Sequence, residues 1–131
     1  MRPVEEVSNI AKSFRPKWGV FIDSIPAEKL KDLENTQVLV REEKSDVSNY
    51  GDGTFSSVIL GVSIQIFYGF NFEESMLFVE VDLMTIFIKN GWKITSSEPH
   101  YLDISTNTDQ QQTVKNITVE KTVNLNDLKG E

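Results

Sequence analysis

Cysteine is absent from this chain of 131 residues, and histidine occurs once, at His100. Without cysteine there is no disulfide, no zinc ribbon, no iron–sulfur cluster and no thiol nucleophile. A single histidine also leaves the usual histidine-based metal triads without enough ligands. We therefore expect no metal, no cofactor and no catalytic residue, and an enzyme is the least favoured class of function.

Long apolar runs are also missing. No run approaches the roughly 18 apolar residues that span a bilayer, and the N-terminal stretch MRPVEEVSNIAKSF holds no apolar segment of signal-peptide length. We therefore expect neither a membrane span nor export by a signal peptide. The sequon at Asn116 is interpreted as a chance match, because N-glycosylation requires a secreted protein.

Basic residues are fewer than acidic ones, 13 against 20, so the formal net charge is −7. Residues 1–44 contain equal numbers of each sign, and the whole acidic excess lies in residues 45–131. An acidic surface repels phosphate and disfavours nucleic-acid binding. Hydrophobic residues make up 39% of the chain, which is enough for one buried core.

The hydrophobic pattern predicts an α+β domain over residues 1–123, in the order α-β-β-β-α-β-β, with a polar tail at 124–131. Two helices are expected to pack on a mixed or antiparallel sheet. The predicted helices cover 3–14 and 72–90, with one or two further helical turns at 27–34, and the predicted strands cover 18–22, 37–41, 55–68, 92–95 and 113–123. Residues 42–54 are polar with two glycines, which predicts a long exposed hairpin loop.

The predicted helix 72–90 begins at an Asn71 cap with Glu74 in a capping box, and it is apolar over more than half of its circumference. A helix that packs on one sheet needs an apolar stripe of only about 100°. The excess predicts a second covering, either by the N-terminal helix or by another subunit. The predicted subunit interface consists of Leu77, Phe78, Val81 and Ile88, and the carboxylates Glu73, Glu74, Glu80 and Asp82 are expected on a charged outer face.

Few polar residues have the spacing of a known catalytic or metal-binding motif. His100 lies near Asp103, but no serine occupies a Gly-x-Ser-x-Gly elbow, so we interpret this histidine as a loop residue. Asp46, Asn49 and Asp52 lack both the spacing and the closing glutamate of a calcium loop. These residues are therefore interpreted as solvated loop positions.

Several motifs occur in an order that resembles a known family. They are Ile22-Asp23-Ser24-Ile25-Pro26, Tyr50-Gly51-Asp52-Gly53-Thr54-Phe55, Val62-Ser63-Ile64-Gln65-Ile66-Phe67-Tyr68, Asn90-Gly91-Trp92 and His100-Tyr101-Leu102-Asp103. The combination is similar to a family of small tail-region proteins of long-tailed bacteriophages (siphoviruses) of Gram-positive bacteria. Over about residues 3–123 the chain resembles the tail terminator, or tail completion, proteins in length and element order. No catalytic motif and no functional residue is carried over.

The resemblance implies a structural protein of the virion. Tail terminators form hexameric rings that cap the head-proximal end of the tail tube, stop its polymerisation and join it to the head. The implied partners are further copies of the chain, the major tail tube protein and a head completion or neck protein, and the protein is made in the host cytoplasm. DNA would pass through the ring without specific binding, and an acidic lumen would favour this. We expect Asp46, Tyr50 and Asp52 to face the lumen or a partner.

Two other functions stay open from the sequence. A head–tail connector, or neck, protein would share ring assembly and acidity with a terminator. A small-molecule-binding α+β domain would instead hold its ligand between the long helix and the sheet. In that case Trp92, Tyr68 or His100 would lie at the mouth of the pocket.

Overall fold

The computed structural model describes residues 2–51, 54–102 and 112–124, with backbone alone at 48–51 and 54–56, and its elements confirm the predicted α+β class. The helices in this part of the chain are α1 (Pro3–Phe14), α2 (Ala27–Leu30) and α3 (Met76–Lys89). The strands are β1 (Gly19–Ile22), β2 (Gln37–Gly51), β3 (Thr54–Tyr68), β4 (Lys93–Ser97), β5 (Tyr101–Leu102) and β6 (Thr113–Asn124). None of the described helices is both long enough and apolar enough to span a membrane.

The six described strands form one sheet in the order β1-β2-β3-β6-β4. Only the β1–β2 pair is parallel. The last strand, β6, lies between β3 and β4, and it pairs with β3 from Thr113 to Asn124. Because β3 occupies one edge of β6, both β4 and β5 lie along its other edge.

The helices α1 and α3 pack on one face of this sheet and form the core with it. Strand alternation turns one set of apolar side chains toward the helices. These residues, none more than 1% exposed, are Val38, Val40, Val62, Ile64, Ile66, Tyr68, Ile117 and Val119. The predicted stripe of α1 packs against them, because Val4, Val7 and Ala11 are fully buried. The periodicity of α1, β3 and β6 therefore predicted their buried faces correctly.

Two polar contacts show that α1 and α3 run antiparallel. At one end, Arg15 directly after α1 donates two hydrogen bonds to Glu74, just before α3. At the other end, the indole N–H of Trp92, just after α3, donates to Glu6 in the first turns of α1 at 3.1 Å. The two helices therefore lie side by side along their lengths.

The predicted hairpin loop at 42–54 is wrong in its extent. Strand β2 continues to Gly51 and pairs with β3 down to Gly51↔Thr54. The register shifts between Glu42 and Lys44, so Glu43 is the extra residue of a bulge. Opposite the bulge stands Gly61, where a Cβ atom would come within 2.8 Å of the Lys44 Cβ. The polar run contains no alternation of the kind that marks a half-buried strand, which explains the error.

The N-terminus of α3 also differs from the prediction. The helix starts at Met76, because the Ser75 hydroxyl accepts a hydrogen bond from the Phe78 N–H at 3.4 Å. The expected cap, Asn71, lies before the helix and donates its side-chain amide to Asn35. Strand β4 runs two residues further than predicted, to Ser97, and the short strand β5 was not predicted.

Candidate functional site

Helix α3 exposes four large apolar side chains on its outer surface. Leu77 is 63% exposed, Phe78 72%, Val81 46% and Ile88 58%. We call these four residues the apolar flank of α3. They are the residues predicted for a subunit interface, and their exposure in the single chain agrees with that prediction. Contact with another subunit stays a prediction.

Helical geometry places most of the flank on the side of α3 that faces away from α1. At 100° per residue, Leu77, Val81 and Ile88 fall within a sector of roughly 40°. Ile86, which faces α1, lies about 160° from Ile88 around the helix. Exposed apolar patches of this kind mark interaction sites more often than scattered single residues do.

The segment between β4 and β5 lies against α3. His100 Nδ1 is 3.4 Å from the Glu80 Oε2 atom, and the two following residues, Tyr101 and Leu102, are 45% and 55% exposed. Strand β5 therefore adds two exposed apolar side chains on the edge of β6 that faces away from β3.

Glu80 is buried, which contradicts its predicted place on a charged outer face. It is 2% exposed, and its carboxylate points into the sheet. The Tyr68 hydroxyl donates a hydrogen bond to Oε2 at 2.6 Å, and Lys115 Nζ lies 3.8 Å from Oε1. Tyr68 on β3 and Lys115 on β6 both point toward the helices, so neighbouring strands supply a donor and a counter-charge.

Lys115 joins this buried carboxylate to the segment after β4. Its ammonium group donates to the Ser97 hydroxyl at 2.9 Å and to the Glu98 carbonyl oxygen. With His100 the cluster thus connects α3, β3, β6 and the β4–β5 segment. The partner of His100 is Glu80, whereas Asp103, considered from the sequence, lies outside the described residues. A lone lysine among apolar helix-facing positions of β6 was the signal that the sequence offered.

The Tyr68 hydroxyl is the hydrogen-bond donor to Glu80 in this cluster. Its burial, followed by its hydrogen bond to Glu80 and the charge of that carboxylate, raises the pKa of Tyr68 well above the ordinary value near 10. The hydroxyl therefore keeps its proton at neutral pH and stays a donor.

Two of the residues named for a small-molecule pocket beneath α3, Tyr68 and Trp92, do not open to a pocket mouth. Tyr68 is 1% and Trp92 2% exposed, and both belong to the hydrophobic core. Leu83 and Phe87 of α3, both fully buried, fill the adjacent space. Within the described ranges, no three side chains of the metal-ligating types are grouped to hold a metal ion.

An open groove of about 460 Å³ lies between α1 and α3, and the sequence analysis did not predict it. Its apolar walls are Ile10 and Phe14 of α1 and Ile86 of α3, with Ser13 on its rim. Glu6 at one end is held by Lys121, whose Nζ is 2.7 Å from Oε1. The groove is on the side of α3 opposite most of the apolar flank.

Two of the three residues expected to face a lumen or partner, Asp46 and Tyr50, lie on strand β2. Asp46 is exposed on β2, with its carboxylate 3.6 Å from Lys44 Nζ. Tyr50 pairs with Phe55 through the backbone of the hairpin. Asp52 lies outside the described residues. The expectation of a long loop is therefore wrong for Asp46 and Tyr50, which lie on β2. That these residues face a lumen or a partner stays a prediction.

The profile of one protein family, described as "Protein of unknown function (DUF806)", matches residues 1–124. The chain belongs to this family, and the match includes every element from α1 to β6. Among curated proteins, none matches the chain.

We predict that Glu80 and Lys115 are energetically coupled. Glu80→Gln keeps an acceptor for Tyr68 but leaves a buried lysine uncompensated, which we expect to cost about 3–5 kcal/mol of unfolding free energy. The double variant Glu80→Gln/Lys115→Met should cost less than the sum of the single changes by about 0.5–3 kcal/mol. Urea denaturation measures all four proteins of the cycle.

The matched control is the exposed ion pair of Arg15 and Glu74, whose side chains are 30% and 52% exposed. Its cycle with glutamine substitutions should give a coupling of at most about 1 kcal/mol. Strictly additive effects at Glu80 and Lys115 would contradict the coupling.

A second prediction concerns alkaline pH. Above about pH 10 the Tyr68 hydroxyl ionises in the unfolded chain but stays protonated in the fold, because its pKa is raised. Above pH 10 the folded state therefore binds more protons than the unfolded state does. The contribution of Tyr68 to the free energy of unfolding is complete below pH 10, and it declines by up to about 1.4 kcal/mol per pH unit above it. The stability difference between wild type and Tyr68→Phe should decline likewise in chemical denaturation between pH 8 and 11.5. A constant difference would contradict the argument.

Proposed function

We propose that this member of the DUF806 family is a structural virion protein, a phage tail terminator. It assembles into a ring, expected to be a hexamer, at the head-proximal end of the tail tube. There it stops tube polymerisation and joins the tube to the head or neck. The observation that carries the proposal is the apolar flank of α3, exposed in a chain whose motifs resemble those of tail terminators.

The flank supplies the free energy that self-assembly requires. Burying one such side chain fully is worth about 1.5–3 kcal/mol, and each of these four is between 46% and 72% exposed in the single chain. No flank residue is charged, whereas the neighbouring outer sector of α3 carries Asp82 and Lys89. Copies of a chain with a net charge of −7 repel one another, so contact is favoured where apolar surface is free of carboxylates.

The acidity of the chain also suits a ring through which DNA passes. Phosphates are repelled by an acidic lumen, and sequence-independent DNA binding depends on neutralising phosphates with lysine or arginine. A head–tail connector would use the same two properties, so the deciding experiment has to measure an effect on the tail tube itself.

We predict that two substitutions in the flank prevent assembly without unfolding the subunit. Leu77 is in the first turn of α3 and Ile88 in the last, so Leu77→Asp and Ile88→Lys each place a charge that the helix dipole favours. The two variants change the net charge in opposite directions, so a shared effect cannot come from net charge. Light scattering over a concentration series should show a monomer, or assembly weakened at least tenfold.

The control is Asp82→Lys, which changes a charge on the exposed side of the same helix about 100–140° away from Leu77, Val81 and Ile88. It should assemble like the wild type. Circular dichroism reports the fold of each variant. If Leu77→Asp and Ile88→Lys both assemble normally, or if both unfold, the flank is not the interface.

The terminator role itself predicts an effect on tube length. Wild-type protein added to polymerising tail tube protein from the same phage should give tubes of limited length with a ring at one end in electron micrographs, and Leu77→Asp should not. Limiting the length of the tube is the activity that distinguishes a terminator from a connector. Unlimited growth in the presence of assembled wild-type rings would contradict the terminator role.

A further inference from the structure

We propose that the groove between α1 and α3 receives the apolar flank of α3 from a second copy of this chain. The inference rests on the proposed ring and names the surface that completes it. A ring needs two different, complementary patches on each subunit, because a patch that pairs with itself stops at a dimer.

The groove has the size and lining to accept apolar side chains. Its volume is about 460 Å³, it is open to solvent, and its walls include the half-buried side chains of Ile10, Phe14 and Ile86. A phenylalanine such as Phe78 buries roughly 150–250 Å² when it is fully enclosed. The groove can therefore enclose surface that the single chain leaves in water.

Charge favours a second copy as the occupant. The groove's carboxylate, Glu6, is neutralised by Lys121 at 2.7 Å, and Arg15 neutralises Glu74 near the other end at 3.0 Å. The flank carries no charge at all. The two surfaces are thus locally neutral in a chain of net charge −7, and they can meet without bringing uncompensated carboxylates together.

The position of the two surfaces favours a head-to-tail contact over a symmetric pair. The groove is on the α1 side of α3, whereas Leu77, Val81 and Ile88 lie on the opposite side of that helix. A subunit can therefore present its flank to one neighbour while its groove holds the flank of another. Repetition of this contact adds subunits, and a ring forms where the rotation between neighbours brings the last subunit back to the first.

Because the chain contains no cysteine, a maleimide crosslinker can join only the cysteines that are introduced. A chain with Val81→Cys in the flank and Ser13→Cys at the groove rim, treated with a short bismaleimide, should form a covalent ladder that ends at the ring size. The matched control carries Lys12→Cys with Val81→Cys. Lys12 is exposed one residue away, about 100° around α1, and should crosslink at least tenfold less.

The outcomes separate the inference from the function on which it rests. A ladder in the Ser13→Cys/Val81→Cys chain, absent from the control, supports the groove contact. Efficient dimer formation by Val81→Cys alone would mean that the flank pairs with itself and would overturn the inference. Equal crosslinking with the Lys12 control would also overturn it. A wild-type chain that stays monomeric at all concentrations would instead overturn the proposed ring.

A second variant tests the groove without crosslinking. Ser13→Trp places a large side chain on the groove rim and leaves the flank of α3 unchanged. We expect it to fold and to assemble at least tenfold more weakly than the wild type. Added to Leu77→Asp, it should weaken assembly no further, because both changes remove the same contact. Normal assembly of Ser13→Trp would contradict the groove contact.

Discussion

Because Glu80 is buried beneath α3, the helix can lie on the sheet only where that carboxylate meets a donor and a positive charge. An unpaired buried carboxylate costs several kcal/mol, and Tyr68 and Lys115 offset this cost from two neighbouring strands. Their positions hold α3 above β3 and β6 in one rotational setting. In that setting Leu83 and Phe87 fill the core, and the apolar flank stays outside. The exposure of the apolar flank is therefore tied to a buried ionic contact.

The arrangement reverses the usual distribution of polar and apolar side chains. On α3 a carboxylate is buried while Leu77 and Phe78 are mostly exposed, although charged residues are seldom buried unless they are paired. Buried polar contacts specify one packing more narrowly than apolar contacts, which tolerate rearrangement. We interpret Glu80 as the residue that keeps a largely apolar helix from turning its exposed side inward. The net charge of −7 then helps to keep the exposed surface from non-specific association.

Sequence reasoning succeeded for the helices in which the spacing of apolar residues alone decides which side is buried. The spacing of Val4 and Val7 predicted the buried side of α1, and the width of the apolar arc on α3 predicted exposed apolar residues. It failed where two local signals compete, since both Asn71 and Ser75 can cap a helix and only the fold selects Ser75. It also failed at the extended hairpin, which lacks apolar alternation. The burial of Glu80 was missed, because its counter-charge, Lys115, is 35 positions further along the chain.

The groove between α1 and α3 was also not predicted from the sequence. Its polar end depends on where β6 lies in the sheet. The last strand, β6, inserts between β3 and β4 rather than adding to an edge. By doing so it brings Lys115 beneath α3 and Lys121 to Glu6 on α1, a contact that spans almost the whole chain. One lysine of β6 fixes the helix that carries the flank, and the other neutralises the carboxylate in the groove. Both surfaces of the proposed interface thus depend on the pairing of one strand, β6, with the rest of the sheet.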